Sequence, residues 1–394
     1  MTNTAAVKAD TKPKKRLQSK YHEGDFGMII TAAVLSLFGL VMVFSASYYT
    51  GLSKFNDAFY YLKDDLKWLV FGWAVFAVFA FIDYHVWQNK VLNYIILGAG
   101  FLCLIALLVL PSSLKLTVTL NGATRWINVF GLFTFMPGEV IKFCFILFYA
   151  AYYSEYAKRT EPWVQGFVIP IGIGGAAFLL IFAQPNLSTA CIVIVMVVAL
   201  MFIAGISWVK LVAAIGLGIV GVIGLVVLKG ADYMIARLDN FWDPFADSLG
   251  KGYQVCQSLL AFGSGGVTGV GLGNSVQKAL YLPEAMNDFI LPIIGEELGF
   301  VGVLLLIIVY VFLLYRLVHI AMLAKDRMGT LLAAGVAVHL GLQVILNIAV
   351  VTASFPPTGV VLPLISLGGT ATALIMAELG IAYNVSRQSR VISK

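Results

Sequence analysis

The chain has 394 residues, 60% of them hydrophobic and 12% charged, with a mean hydropathy of +0.92; that balance excludes an ordinary soluble domain, which is about half apolar and a quarter charged. The formal net charge of +6 does not point to nucleic acid, because the bases gather in the N-terminal tail (Lys8, Lys12, Lys14, Lys15, Arg16, Lys20) and in short connections between apolar runs, where they reflect topology and anionic lipid. Cys103, Cys144, Cys191 and Cys256, and likewise His22, His85, His319 and His339, are too scattered for a disulfide framework or a metal-ligand set.

The polar tail 1–25 precedes an apolar run from Phe26 to Ser47 that is long enough to span rather than to be clipped, so no cleavable signal is expected and the tail reads as cytosolic. Runs of about 17–25 apolar residues predict ten transmembrane helices, beginning near Phe26, Trp68, Val91, Gly138, Val164, Ser188, Trp208, Leu291, Thr330 and Gly359. The expected fold class is all-α and polytopic: a membrane domain over 26–386, with a short basic cytosolic tail at 387–394. An even number of spans puts both termini on one side, and the bases agree. With the N-terminus inside, the inner loops hold most of them, and the short outer loops hold only Lys54, Lys63, Lys67, Lys115 and Arg125. The long loop 229–290, between the seventh and eighth helices, is then extracytoplasmic. Chemistry there cannot draw directly on cytosolic ATP, so a leaving group must arrive already activated.

In chain order, the loop 48–67 carries acids and aromatics that read as interfacial anchors. The loop Asn121-Gly122-Ala123-Thr124-Arg125-Trp126-Ile127 places an arginine on the outer face. A guanidinium fork suits phosphate, so Arg125 is a candidate for a phosphorylated lipid head; reaching ordinary headgroups is the competing reading. Glu139 and Lys142, at i and i+3 on the fourth helix, share a face and can pair. A structural ion pair and a polar site lining a cavity both stay open. Gln184-Pro185-Asn186-Leu187 reads as a tight outer turn.

The long loop holds a Gly-rich run, 263–273, closing toward Lys278. It lacks a Gly-Lys-Ser/Thr sequence and a preceding strand, so a nucleotide loop is rejected. Lys278 remains a second candidate phosphate contact. Residues 281–297 then bring Glu284 and Asp288 to the membrane edge, just before apolar sequence resumes, where spanning helices can position an acid that still meets water and lipid headgroups. Gln343 and Asn347, at i and i+4 on the ninth helix, read as bridges between helices. Finally Pro363, Gly368 and Gly369 interrupt the last apolar segment, as a helix broken beside a site would, or as a plain kink at Pro363.

Many ordered motifs, from about Asp25 to Asn384, resemble the SEDS family of shape, elongation, division and sporulation proteins, the group of FtsW, RodA and SpoVE. They include Met42-Val43-Phe44-Ser45-Ala46-Ser47, Gly122-Ala123-Thr124-Arg125-Trp126-Ile127, Pro137-Gly138-Glu139 with Lys142, and Gln184-Pro185-Asn186-Leu187. Further along are Gly252-Tyr253-Gln254 with Gln257-Ser258, Tyr281-Leu282-Pro283-Glu284 with Asp288-Phe289-Ile290, Glu296-Glu297-Leu298-Gly299, Pro357-Thr358-Gly359 and Gly368-Gly369. The likeness is nearest to the FtsW and SpoVE branch. It implies a peptidoglycan glycosyltransferase that polymerises lipid II outside the cytoplasmic membrane, beside a class B penicillin-binding protein transpeptidase and other divisome or elongasome membrane proteins, for division, cell shape or sporulation. The family's catalytic acid falls on Asp288. The implied substrate-binding set is Arg125, Glu139, Lys142, Gln254, Gln257, Ser258, Lys278, Glu284, Ser366, Gly368 and Gly369. No cofactor is demanded, although a divalent cation (Mg or Mn) could share the diphosphate charge. The family pattern is departed from at Asn186, where it has Asp, and at Met286-Asn287, where it has His-Thr. Competing classes are a flippase for lipid-linked precursor, which would need Glu139 and Lys142 more than Asp288, and a non-catalytic scaffold of the cell-wall machinery.

Overall fold

The structure, a computed structural model, describes residues 24–110, 116–120, 123–129, 131, 133–155, 160–229, 243–250, 252–357 and 359–389. The basic tail bases, Lys115, Gly122, Thr358 and much of the segment between 229 and 252 lie outside the described residues. Among the described residues ten long helices carry the fold: α1 (Phe26–Phe55), α2 (Tyr60–Phe81), α3 (Lys90–Val109), α4 (Pro137–Glu155), α5 (Ile169–Ala183), α6 (Leu187–Ile203) and α7 (Trp208–Lys229), then, after the short α8 (Tyr253–Gly265), α9 (Ile290–Leu323), α10 (Arg327–Val351) and α11 (Thr370–Arg387).

Among the described residues, five helical stretches are long and apolar enough to cross a membrane: Phe26–Phe55, Lys90–Val109, Val164–Ala183, Ile290–Leu323 and Arg327–Val351. Large apolar side chains stand outward around the bundle; Phe81, Val109, Trp208 and Met322 are 76, 72, 71 and 69% exposed. Water would penalise such a surface, whereas lipid covers it.

α10 runs through the middle and touches α4, α6, α9 and α11. α11 packs along α2, and close approach depends on Gly380, where a Cβ would stand 2.6 Å from the Phe76 carbonyl oxygen. On the side of the molecule holding Asp83 and Asp326, His85 lies between the two carboxylates, 2.7 Å from Asp83 Oδ1 and 2.8 Å from Asp326 Oδ2, tying two connections together.

Three expectations need correction. α2 starts at Tyr60 rather than near Trp68, because Lys63, Asp64, Asp65 and Lys67 interrupt the apolar run without breaking the helix. α11 starts at Thr370 rather than near Gly359, the preceding residues being turns. The connection from α3 to α4 carries a small antiparallel sheet, not a plain loop: β1 (Thr117–Leu120), β2 (Ala123–Val129) and β3 (Phe133–Phe135), in the order β1-β2-β3.

Candidate active site

The site is built where α9 breaks. Gly299 has φ 66° and ψ −170°, so the helix cannot continue its ladder there. The backbone groups released are spliced into the Gly-rich run: Val270 and Gly271 N–H donate to the Glu296 and Glu297 carbonyls at 3.0 Å, while Phe300 and Val301 N–H donate to Gly266 and Val267 at 2.9 and 3.1 Å. Each of these four N–H groups finds a carbonyl partner, which is the condition for irregular backbone beside lipid. A Cβ at Gly269 would collide with the Glu297 carbonyl, so glycine is required there.

The two glutamates at the break finish the fastening. Glu296, 1% exposed, accepts from Val276 N–H at 3.0 Å, Gln277 N–H at 3.2 Å and Ser264 Oγ at 3.3 Å, and also from Ser275 Oγ. Glu297, fully buried, accepts from Ser45 Oγ of α1 at 2.7 Å and from Lys278 Nζ at 2.7 Å. Lys278 therefore departs from its expected role: its ammonium is buried in an ion pair instead of standing ready for phosphate. It does line one end of a cavity of about 310 Å³ between Val41, Phe44, Ser45, Tyr48, Tyr49, Leu272 and Gly273.

Ten residues on, the turn 281–289 carries Asp288. Inside the turn Asn287 and Phe289 N–H donate to the Glu284 carbonyl at 3.0 and 3.3 Å, with Glu284 in the left-handed region at φ 53°. Glu284 is exposed and its carboxylate accepts from Asn287 Nδ2. Asp288 is half-buried, and among the described residues no side chain donates to its carboxylate. Burial pushes its pKa up to about 7, the neighbouring Glu284 charge adds to the rise, and Arg125 opposes it. A carboxyl poised there exchanges protons near neutrality, as a general base must.

Arg125 reaches the site through a bulge. On β2, Trp126 faces Val118 and Thr124 faces Thr119, so Arg125 has no residue opposite and is the extra one. Bulges re-aim a side chain, and here the guanidinium donates to the Pro185 carbonyl while its charge acts on Asp288. The turn at 184–186 is held from below, with Gln184 Nε2 on the Leu104 carbonyl at 3.0 Å and Asn186 Oδ1 capping Thr189 N–H of α6 at 3.3 Å. Asn186 is thus a helix cap.

Behind these lies the pair Glu139 and Lys142 on α4, 2.7 Å apart, with Lys142 fully buried and Glu139 12% exposed. Gln343 Nε2 of α10 donates to Glu139 at 3.3 Å, so the pair is tied across two helices, α4 and α10. Asn347, a turn beyond Gln343, donates not to a helix but to the carbonyls of Asp288 and Val360. An amide in an apolar run was the only signal for it in the sequence.

The remaining candidates divide. Gln254 Nε2 reaches the Pro283 carbonyl at 3.3 Å and braces the Asp288 turn, and Gln257 is half-buried on the same helix. Ser258 is fully buried and donates to the Val351 carbonyl at 2.6 Å. Ser366 is buried, its Oγ accepting from Leu362 N–H at 2.9 Å. These two serines both bond backbone. Gly368 and Gly369 are half-buried in the non-helical segment before α11; Gly369, at φ 48°, lets the chain turn beside Trp68. Leu367 N–H donates to the Met286 carbonyl at 3.0 Å, so that segment forms a second wall of the recess. Among the described residues no cluster of three His, Cys, Asp or Glu side chains could hold a metal ion.

A family model described as Cell cycle protein, covering FtsW, RodA and SpoVE, matches residues 26–391. The chain is 37% identical over 375 residues to Stage V sporulation protein E of Bacillus subtilis, covering 95% of this chain and 100% of that one. It is 35% identical over 367 residues to a probable peptidoglycan glycosyltransferase FtsW of Geobacter sp., covering 93% and 97%. Among solved structures it superposes on a chain of a peptidoglycan synthase complex that coordinates polymerization and crosslinking, with a TM-score of 0.74 and 25% identity over 93% of this chain and 98% of that one. A variant of the Thermus thermophilus rod shape determining protein RodA gives a TM-score of 0.67 and 26% identity over 93% and 98%.

Proposed function

We propose, for a chain that belongs to the FtsW, RodA and SpoVE family of cell cycle proteins, that it is a peptidoglycan glycosyltransferase polymerising lipid II at the outer face of the cytoplasmic membrane, with Asp288 as general base. The observation that carries the role of Asp288 is its state: a half-buried carboxyl with a pKa near 7 between two non-helical segments in contact with each other. The relatives named as glycosyltransferases supply the reaction class. In this reading all ten long helices span, both termini are cytosolic, and the loop bearing Asp288 is extracytoplasmic.

Asp288 takes the proton from the GlcNAc 4-hydroxyl of the acceptor as that oxygen attacks the anomeric carbon of the donor. The new glycosidic bond forms with inversion while the undecaprenyl diphosphate departs with the bonding electrons. No nucleotide is consumed, because the diphosphate is the activated leaving group. Arg125 offsets the charge that grows on it, a charge-assisted contact that strengthens toward the transition state. The Glu139 and Lys142 pair lines the inner edge of the recess. By analogy with the solved synthase complex, the partner is a crosslinking enzyme of the penicillin-binding class.

Purified protein with its candidate partner, given fluorescent lipid II in liposomes, should build glycan ladders. Asp288→Asn should lose about 10²–10⁴-fold of that rate with an unchanged melting profile. Equal ladders from both would move the base elsewhere, and ladders from neither, with a positive translocation assay, would make the protein a flippase.

A further inference from the structure

His339, Gln343 and Asn347 follow each other at four-residue spacing on one face of α10, each no more than 1% exposed. Gln343 and His339 are spent on other helices, on Glu139 of α4 and on Glu378 of α11. Asn347 differs. Its Nδ2 donates to two backbone carbonyls, that of Asp288 at 2.8 Å and that of Val360 at 2.7 Å. Both partners can only accept, so the orientation of the amide is determined: nitrogen toward the two loops, and Oδ1 turned away, where no donor meets it.

The two carbonyls belong to the two walls of the recess. The turn 281–289 owes its internal shape to local bonds, Asn287 and Phe289 N–H on the Glu284 carbonyl and Leu282 N–H on the Gln277 carbonyl. Those bonds would survive a rigid swing of the whole turn. Opposite, Gly359 lies so near that a Cβ there would be 3.6 Å from Asp288 Oδ2. α10 is the central helix, and a buried amide inside an apolar bundle is costly unless it bonds. The one polar group it offers at this level is divided between both walls.

We propose that Asn347 is a positioning residue for Asp288: it pins the turn bearing the base and the segment at 360 to a common point on α10, and so fixes where the carboxylate meets the acceptor hydroxyl. The role rests on Asp288 being the base. A base must be held to about 0.5 Å, and a displacement of about 1 Å costs on the order of 10²-fold in rate.

The test replaces both donors with an apolar chain of similar size, Asn347→Leu, beside Asn347→Ser, which keeps one hydroxyl donor and burdens the fold less. The variants are compared with wild type in lipid II polymerisation over pH 5–9 and in deuterium uptake of peptides covering 281–289 and 359–369. For Asn347→Leu, kcat should fall about 10- to 100-fold while KM changes little, uptake should rise in both peptides, and the pH midpoint should move down as the freed turn carries Asp288 toward water. Asn347→Ser should lie between. Unchanged uptake in 281–289, or a loss of melting temperature with kcat per folded enzyme and midpoint both at the wild-type level, would overturn the proposal. Asp288→Asn measured alongside separates the two ideas: if it polymerises like wild type, the base reading falls, while the uptake data still decide whether Asn347 anchors the turn.

Discussion

Two groups of carboxylates lie within ten residues of each other and have opposite environments. Glu296 and Glu297 are buried and saturated, the first by two backbone amides and two serines, the second by a serine and the Lys278 ammonium. Asp288 is half-buried, and among the described residues no side chain donates to it. A carboxylate whose lone pairs are nearly all engaged has little left to offer a substrate, whereas one that is crowded and held only by its own backbone N–H can accept a proton near neutral pH. The same residue type is architecture in one place and chemistry in the other, and satisfaction, more than burial, separates them.

Substitutions at the two places should therefore fail differently. After the loss expected for Asp288→Asn, the next largest effect belongs to Glu297→Gln. It leaves the Lys278 charge buried and unpaired, at a cost of about 3–5 kcal/mol, and should appear as a lowered melting temperature in detergent. Converting both partners to apolar residues should restore most of it; a single substitution without thermal effect would erase the contrast. Arg125→Ala removes the charge that opposes protonation of Asp288. The pH midpoint should then rise above about 7, with a loss of about 10-fold in kcat/KM, on the scale of a charged hydrogen bond, read from polymerisation rates against lipid II concentration. Glu284→Gln should give the smallest change. Its charge holds the Asp288 pKa up, so the midpoint should move down, with little change in rate at high pH. A midpoint unmoved or moving up in that variant would contradict the placing of the Glu284 charge against Asp288.

The long helices were legible because apolar runs are long and the lipid tolerates them on every side. The start of α2 was hidden because four charges between Lys63 and Lys67 look like a loop, although the two exposed lysines are good helix formers and Asp65 is buried inside the helix. The sheet at 117–135 was missed for a different reason: its strands are three to seven residues long, too short for an alternating pattern to stand out. Asp288 was visible as an acid at the edge of an apolar run and through the family motif. Lys278 was misjudged because sequence gives its charge but not Glu297 and Ser45, 19 and 233 residues away. Asn347 could be seen as a polar residue on an apolar helix, but its partners are backbone carbonyls, which any residue supplies and no motif marks.

The most direct test is the pH dependence of polymerisation by the wild-type protein measured against Asp288→Asn. Because the folded pKa of Asp288 lies above its ordinary value, the base is lost as pH falls through about 7. The wild-type rate should drop there toward the level of the variant and reach a plateau on the alkaline side, with the variant low at every pH. A wild-type profile flat across neutrality, or a variant that follows it, would contradict the assignment of Asp288 as the base.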